Sequence, residues 1–132
     1  MTYYADLTPY TYDKDNWARD ATGLWRGVPL TNVGWLDRGK PYEKGTAPPG
    51  LAEALKCLSR THRAQQTRGF HPCPFCTSRV FGRRASHPQG SAEIWLMGGG
   101  VAYAAPELIT HYVETHGYSP PTAFTTAVFA AL

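Results

Sequence analysis

Residues 69–76 read GFHPCPFC, and this stretch places Cys73 and Cys76, two of the three cysteines in the chain, two residues apart. A two-residue spacer lets the backbone curl so that both sulfurs point to one place, and Pro74 stiffens the curl by fixing its φ angle. Three cysteines are a poor basis for a disulfide framework. Because the motif lies between prolines and does not open a helix, a metal site is a better interpretation than a redox site.

The favoured partners of the two cysteines are His111 and His116, in the stretch ITHYVETHG at residues 109–117. A closed zinc site needs four ligands, and histidines three to five residues apart serve as such ligands in zinc fingers. On an ideal helix these two side chains point about 140° apart, which is too far for one ion. Gly117 should end the helix, so its last turn can loosen and bring His116 round.

An alternative pair, Cys57 and His71, would give the spacing C-x13-H-x-C-x2-C. Cys57 lies away from the apolar stripe of a helix predicted over residues 51–58, so it is not an obvious core thiol. Against this pair, His71 and Cys73 are separated only by Pro72, and the chain would have to fold back sharply.

Six candidate ligands for four positions also permit an open, catalytic zinc site, with Glu93 or His71 as the acid–base group. The more common role of a strand carboxylate such as Glu93 is an outward-facing residue. The segment Pro72–Cys76 matches the P-C-x2-C half of the zinc deaminase signature. No H-x-E triplet precedes it, however, so the deaminase interpretation fails.

A β-hairpin is predicted downstream of the cysteines, where a glycine turn separates the stretches SAEIWLM (91–97) and GVAYAA (100–105). We expect a helix from Pro106 to His116, and a last helix capped by Ser119. The chain order of cysteine turn, hairpin and helix predicts an α+β fold stabilised by zinc, similar to a zinc finger or treble clef.

The length of 132 residues indicates a single domain over residues 1–132. Residues 1–50 form its loop-rich, aromatic N-terminal part, and residues 51–132 form its zinc-binding part. Four apolar residues of the first part are expected to anchor the core: Trp25, Val33, Trp35 and Leu36.

The net charge of +3 is too small to indicate nucleic-acid binding by itself. From Lys56 to Arg84, however, there are seven Lys or Arg residues and no Asp or Glu. A nucleic-acid-binding zinc module is therefore an alternative function. Its contacts would come from four arginines around the cysteines: Arg68, Arg79, Arg83 and Arg84.

The chain begins MTYYADLTPYTY, without the charged and then apolar pattern of a signal peptide. No apolar run approaches the roughly 20 residues of a membrane helix. We therefore expect a cytoplasmic protein with no membrane contact.

An interaction, regulatory or accessory module fits the sequence features better than an enzyme. The expected partner is a protein, contacted by exposed Tyr and Trp side chains of the N-terminal half.

Three stretches together resemble a family of small bacterial proteins of uncharacterised function: NVGWL (32–36), RGFHPCPFC (68–76) and YAAPELITHYVETHGYSPP (103–121). The resemblance spans nearly the whole chain. It implies metal binding through Cys73, Cys76, His111 and His116, and it implies no particular reaction.

Overall fold

The computed structural model describes residues 3–10, 25–64, 71–76, 79–80, 83–84, 89–90 and 92–132. Within these ranges the chain is α+β, as predicted. The helices are α1 (Leu51–Thr61), α2 (Ile109–His116) and α3 (Thr122–Ala130). The strands are β1 (Leu30–Asn32), β2 (Arg63–Ala64), β3 (His71–Pro72), β4 (Arg79–Val80), β5 (Arg83–Arg84), β6 (Gln89–Gly90), β7 (Glu93–Gly98) and β8 (Val101–Pro106). No helix among these residues has the length and apolar character needed to cross a membrane.

The central sheet of the described chain has four strands in the order β1-β8-β7-β2. Strands β7 and β8 form the predicted antiparallel hairpin, in which Gly98 pairs with Val101 around a turn at Gly99 and Gly100. Strand β1 pairs with β8 in parallel, and β2 pairs with β7 antiparallel. Two further pairs of short strands, β3 with β6 and β4 with β5, lie outside this sheet.

The helices cover one face of the sheet. Side chains alternate between the faces of a strand, so Ile94 and Leu96 of β7 point to the helices, as do Tyr103 and Ala105 of β8. Helix α1 contributes the apolar stripe expected from its sequence: Leu51, Ala54, Leu55 and Leu58. This core also includes Cys73, which is fully buried. The cysteine turn is therefore anchored to the helical side of the molecule.

An aromatic cluster covers the opposite face of the sheet, where Trp95 contacts Tyr10 and Trp25 edge to face. The N-terminal residues 3–10 run beside residues 30–35 and exchange backbone hydrogen bonds with them. Trp35 donates from Nε1 to the carbonyl oxygen of Ala104, at 3.0 Å. Because both faces are covered, β7 and β8 are apolar nearly throughout, as in fully buried strands.

The burial of the aromatic residues corrects one expectation about the core and shows which side chains of the N-terminal half are not exposed. Val33, Trp35 and Leu36 are buried core residues as predicted, but Trp25 is only half-buried. Tyr10 and Trp35 are almost completely buried, at 4% and 3% exposure, so they do not contribute to an exposed contact surface.

The starts of the last two helices differ from their predicted positions. Pro106 ends β8, opposite Glu93, so α2 begins only at Ile109. Ser119 does not cap α3, whose first residue is Thr122. Instead, the backbone N–H of Ser119 donates to the carbonyl oxygen of Glu43. In both cases a pairing with a distant segment prevails over the local helix signal.

Gly34 determines how closely the N-terminal half approaches α2. Its φ angle is +81°, a conformation that side-chain-bearing residues adopt at a cost. A Cβ atom at this position would lie 2.7 Å from Cδ1 of Ile109, the first residue of α2. The glycine of the NVGWL stretch is therefore required both for its backbone angle and for the space that it leaves.

We predict that Gly34→Ala lowers the free energy of unfolding by about 2–4 kcal/mol, because it adds overpacking against Ile109 to the cost of the positive φ. Gly39→Ala is the matched control, since Gly39 has φ +83° but a Cβ atom there would meet no other atom within 4 Å. The control should lose only about 1 kcal/mol in urea unfolding. Equal losses in the two variants would contradict the role of Ile109.

Candidate metal centre

Cys73 and Cys76 lie on a tight turn, as their spacing predicts. The backbone N–H of Cys76 donates to the carbonyl oxygen of Cys73 at 3.2 Å, which closes the turn. The N–H groups of Phe75 and Cys76 also donate hydrogen bonds to the sulfur of Cys73. Hydrogen bonds of this kind favour a thiolate, so the turn is suited to present a negatively charged sulfur.

His111 and His116 come from α2, and Gly117 ends this helix in the left-handed conformation with φ 66°. The N–H groups of Gly117 and Tyr118 both donate to the carbonyl oxygen of Tyr112, five and six residues back instead of four. This ending widens the last turn. The two imidazoles consequently meet, with their Nε2 atoms 3.2 Å apart, although an ideal helix would separate them.

The structure brings together the four residues of the favoured ligand set. Nε2 of His116 lies 3.4 Å from the sulfurs of both Cys73 and Cys76, and Nε2 of His111 lies 3.3 Å from the Cys76 sulfur. All four donor atoms lie within 4.8 Å of one another. These residues are therefore close enough to bind a metal ion.

Hydrogen bonding alone does not account for this convergence. Nε2 of His116 has three neighbours within 3.4 Å: two sulfurs and the other imidazole nitrogen. One imidazole nitrogen carries either a single proton or a single lone pair, so it can satisfy only one of them. A shared cation would satisfy all four atoms together.

The protonation states of the cluster follow from its burial. Burial lowers the pKa of His111, with a further contribution from the charge of His116, and burial also lowers the pKa of His116. Both shifts favour the neutral imidazole, which is the form that binds metals. Burial raises the pKa of the Cys73 thiol despite the hydrogen bonds that it accepts. In the absence of a cation, the thiol therefore keeps its proton.

Residues of the N-terminal half hold both parts of the cluster in place. The hydroxyl of Tyr42 donates to the backbone carbonyl of His116 at 2.9 Å, and its ring lies 5.5 Å from that of Phe75. Nε of Arg38 donates to the carbonyl oxygen of Pro74 at 3.1 Å. Sequence reasoning missed these contacts, because residues 38–44 carry no pattern that places them near the cysteines.

The alternative ligands are placed differently. Cys57 is half-buried on α1 and is not part of this cluster, nor of any other group of three potential ligands among the described residues. His71 begins β3, which pairs with β6, but its side chain lies outside the described part of the structure.

Glu93 lies on the opposite face of the sheet from the cluster. Its carboxylate is 4% exposed and accepts hydrogen bonds from the hydroxyl of Tyr10 at 2.9 Å and from Nε1 of Trp95 at 2.8 Å. The sequence predicts either an outward-facing strand residue or a group near the metal, and the geometry corresponds to neither. The structure does not bring Glu93 to the cysteines and histidines.

The predicted nucleic-acid contacts are only partly within the described residues. Arg68 lies outside them, whereas Arg79, Arg83 and Arg84 lie on β4 and β5. The register places Arg79 directly opposite Arg84. Three of the four arginines are thus described by backbone position alone.

Comparisons with known proteins bear on the resemblance noted in the sequence. The sequence profile of a family described as "Domain of unknown function (DUF7919)" matches residues 2–129. Neither curated proteins nor solved structures gave a significant match. The match covers nearly the whole chain and confirms the resemblance to a family of uncharacterised function. The chain therefore belongs to the DUF7919 family.

Proposed function

We propose that the protein binds one zinc ion through Cys73, Cys76, His111 and His116. In this proposal the ion stabilises the fold of an interaction or accessory module and does not take part in catalysis. The observation that carries the proposal is the convergence of two sulfurs and two imidazole nitrogens within 4.8 Å. A set of two thiolates and two imidazoles is typical of structural zinc sites.

Four of the six separations between donor atoms in the cluster match those of a tetrahedral zinc site. Zinc bonds of about 2.3 Å to sulfur and about 2.0 Å to nitrogen, at tetrahedral angles, separate a sulfur from a nitrogen by about 3.5 Å. The same geometry separates two nitrogens by about 3.3 Å. The sulfur–nitrogen hydrogen-bond distances in the cluster are 3.3–3.4 Å, and the two nitrogens lie 3.2 Å apart.

The large sequence separation between the cysteines and the histidines supports a structural role for the ion. His111 is 35 residues from Cys76, and His116 is 43 residues from Cys73. An ion bound between them would join segments on either side of the central hairpin, and because the site does not exist in the unfolded chain, its binding free energy would stabilise the folded state directly. The order of cysteine turn, hairpin and helix supports the proposed similarity to zinc fingers.

The surroundings of the cluster favour a binding module over an enzyme. Four protein ligands would fill a tetrahedral site, whereas catalytic zinc keeps one position for water or substrate. The carboxylate considered for acid–base catalysis, Glu93, is buried among aromatic side chains on the other face of the sheet. We therefore propose a protein as the partner, and a stabilising role for the metal.

Nucleic-acid binding is a second candidate, and the register of β4 and β5 favours it. The backbone register places Arg79 directly opposite Arg84, so two basic residues share one position of this two-stranded ladder. Basic residues at neighbouring positions are the type of residue that contacts the phosphates of nucleic acids. Two other basic residues of the region already pair with carboxylates, Lys56 with Glu114 and Arg63 with Glu107. The arginines of β4 and β5 are therefore the contacts that we propose for this second function.

We predict one zinc ion per chain in the purified wild type, measured by elemental analysis. His116→Ala should weaken zinc binding by more than about 100-fold, because it removes a ligand. Cys57→Ser is the matched control and should keep its zinc. Loss of zinc in Cys57→Ser with retention in His116→Ala would instead assign the site to the alternative pair, Cys57 and His71.

Removal of zinc by a chelator at neutral pH should lower the melting temperature by about 10 °C or more, because binding free energy contributes directly to folding. The measurement is thermal unfolding followed by circular dichroism, with metal removal verified on the same sample. Cys76→Ser should melt near the chelated wild type and respond little to chelator. An unchanged wild-type melting curve would refute the structural role.

If the second candidate is correct, the affinity for a short DNA duplex falls steeply with salt, with a slope of log K against log salt of about −2 to −3 for two or three phosphate contacts. Arg79→Gln with Arg84→Gln should reduce the slope by about 2. Arg63→Gln is the control, because Arg63 is paired with Glu107. An affinity that does not change with salt would eliminate this function.

A further inference from the structure

A surface cavity of about 280 Å³ lies between the N-terminal segment and the loop at residues 41–43. Three tyrosines line it, Tyr3, Tyr4 and Tyr42, together with the carboxylates of Asp6 and Glu43. None of its described lining residues is basic. Its volume is near the lower end of the range for small-molecule pockets, roughly 300 Å³ and above, so the cavity suits a compact ligand.

The acidic side of the cavity is held in place by the fold. Oδ1 of Asp6 accepts a hydrogen bond from the backbone N–H of Gly34 at 2.9 Å, and Oδ2 accepts one from the hydroxyl of Tyr118 at 2.7 Å. Tyr118 is fully buried, so it fixes the carboxylate from the interior. A carboxylate held in this way provides a preorganised negative charge at the cavity wall.

Two tyrosine rings of the cavity already attract ammonium groups of the chain itself. Nζ of Lys40 lies 5.6 Å from the centre of the Tyr3 ring, and Nζ of Lys44 lies 5.3 Å from that of Tyr42. Both lysines are exposed, so these contacts are weak and easily exchanged. The rings are therefore accessible to cations, and an incoming cation would compete with the two lysines.

We propose that this cavity binds a small alkylammonium cation. The tyrosine rings attract the ammonium group through their negative faces, and Asp6 and Glu43 supply the opposite charge. The two carboxylates in the lining disfavour an anion, and the aromatic faces favour an ammonium group with apolar substituents over a strongly hydrated metal cation. This binding site is separate from the proposed zinc function and does not depend on it.

The test is a calorimetric titration of the purified full chain with choline. The control ligand is 3,3-dimethyl-1-butanol, which has nearly the same shape but no charge. Choline should bind at least ten-fold more tightly than the alcohol. Equal affinities for the two compounds, or no binding of either, would overturn the proposal.

Substitutions then test the roles of the rings and charges. Tyr3→Leu should weaken choline binding at least five-fold, whereas Tyr3→Phe keeps the ring and should bind within about two-fold of the wild type. Glu43→Gln, which preserves the shape of an exposed side chain, should also weaken binding and serves if Tyr3→Leu does not fold. Tyr42 is left unchanged, because it contacts His116 and its loss would also disturb the metal cluster.

Lys40→Ala tests whether the ammonium group of Lys40 competes with the bound cation. If the cavity binds a cation, removing the competing ammonium group leaves choline binding equal or tighter, by up to about five-fold. Weaker choline binding in Lys40→Ala would contradict the proposal, because the lysine would then be supporting the ligand and not competing with it.

Discussion

The meeting of two sulfurs and two imidazole nitrogens joins parts of the chain that local interactions would leave apart. The sulfurs come from a short turn, and the nitrogens come from the widened end of α2. For the four atoms to meet, the cysteine turn and the end of α2 must both be held in position by other segments of the chain. Residues of the N-terminal half do this: Arg38 contacts the turn, and Tyr42 contacts the last carbonyl of the helix.

The features of the fold that could be predicted from the sequence are those with a local signal. The two-residue spacing of the cysteines, the glycine turn between β7 and β8, and the glycine after His116 each determine the backbone within a few residues. The stripe of α1 follows from its helical periodicity. For the same reason, the sequence alone favours the ligand set whose members the structure brings together.

The features that sequence reasoning missed depend on distant partners. Pro106 has the local character of a helix start, but pairing with Glu93 keeps it in β8. The strand pattern predicts that Glu93 faces solvent, but the hydroxyl of Tyr10, 83 residues away in the chain, donates to it inside an aromatic cluster. Asp6 and Tyr118 are 112 residues apart, and neither has a neighbour in sequence that predicts their contact. Tertiary packing decided each of these positions.

The parallel pairing of β1 with β8 has a consequence for the order of events during synthesis. Trp35 bonds to Ala104, 69 residues further along, so the N-terminal half emerges from the ribosome long before the strand that receives it. The hairpin of β7 and β8 closes over a two-residue turn and can form as soon as it is made. Contacts of such large separation slow folding. The tyrosine-rich N-terminal segment therefore cannot pack against the sheet until the hairpin has formed, and its aromatic rings stay exposed to water until then.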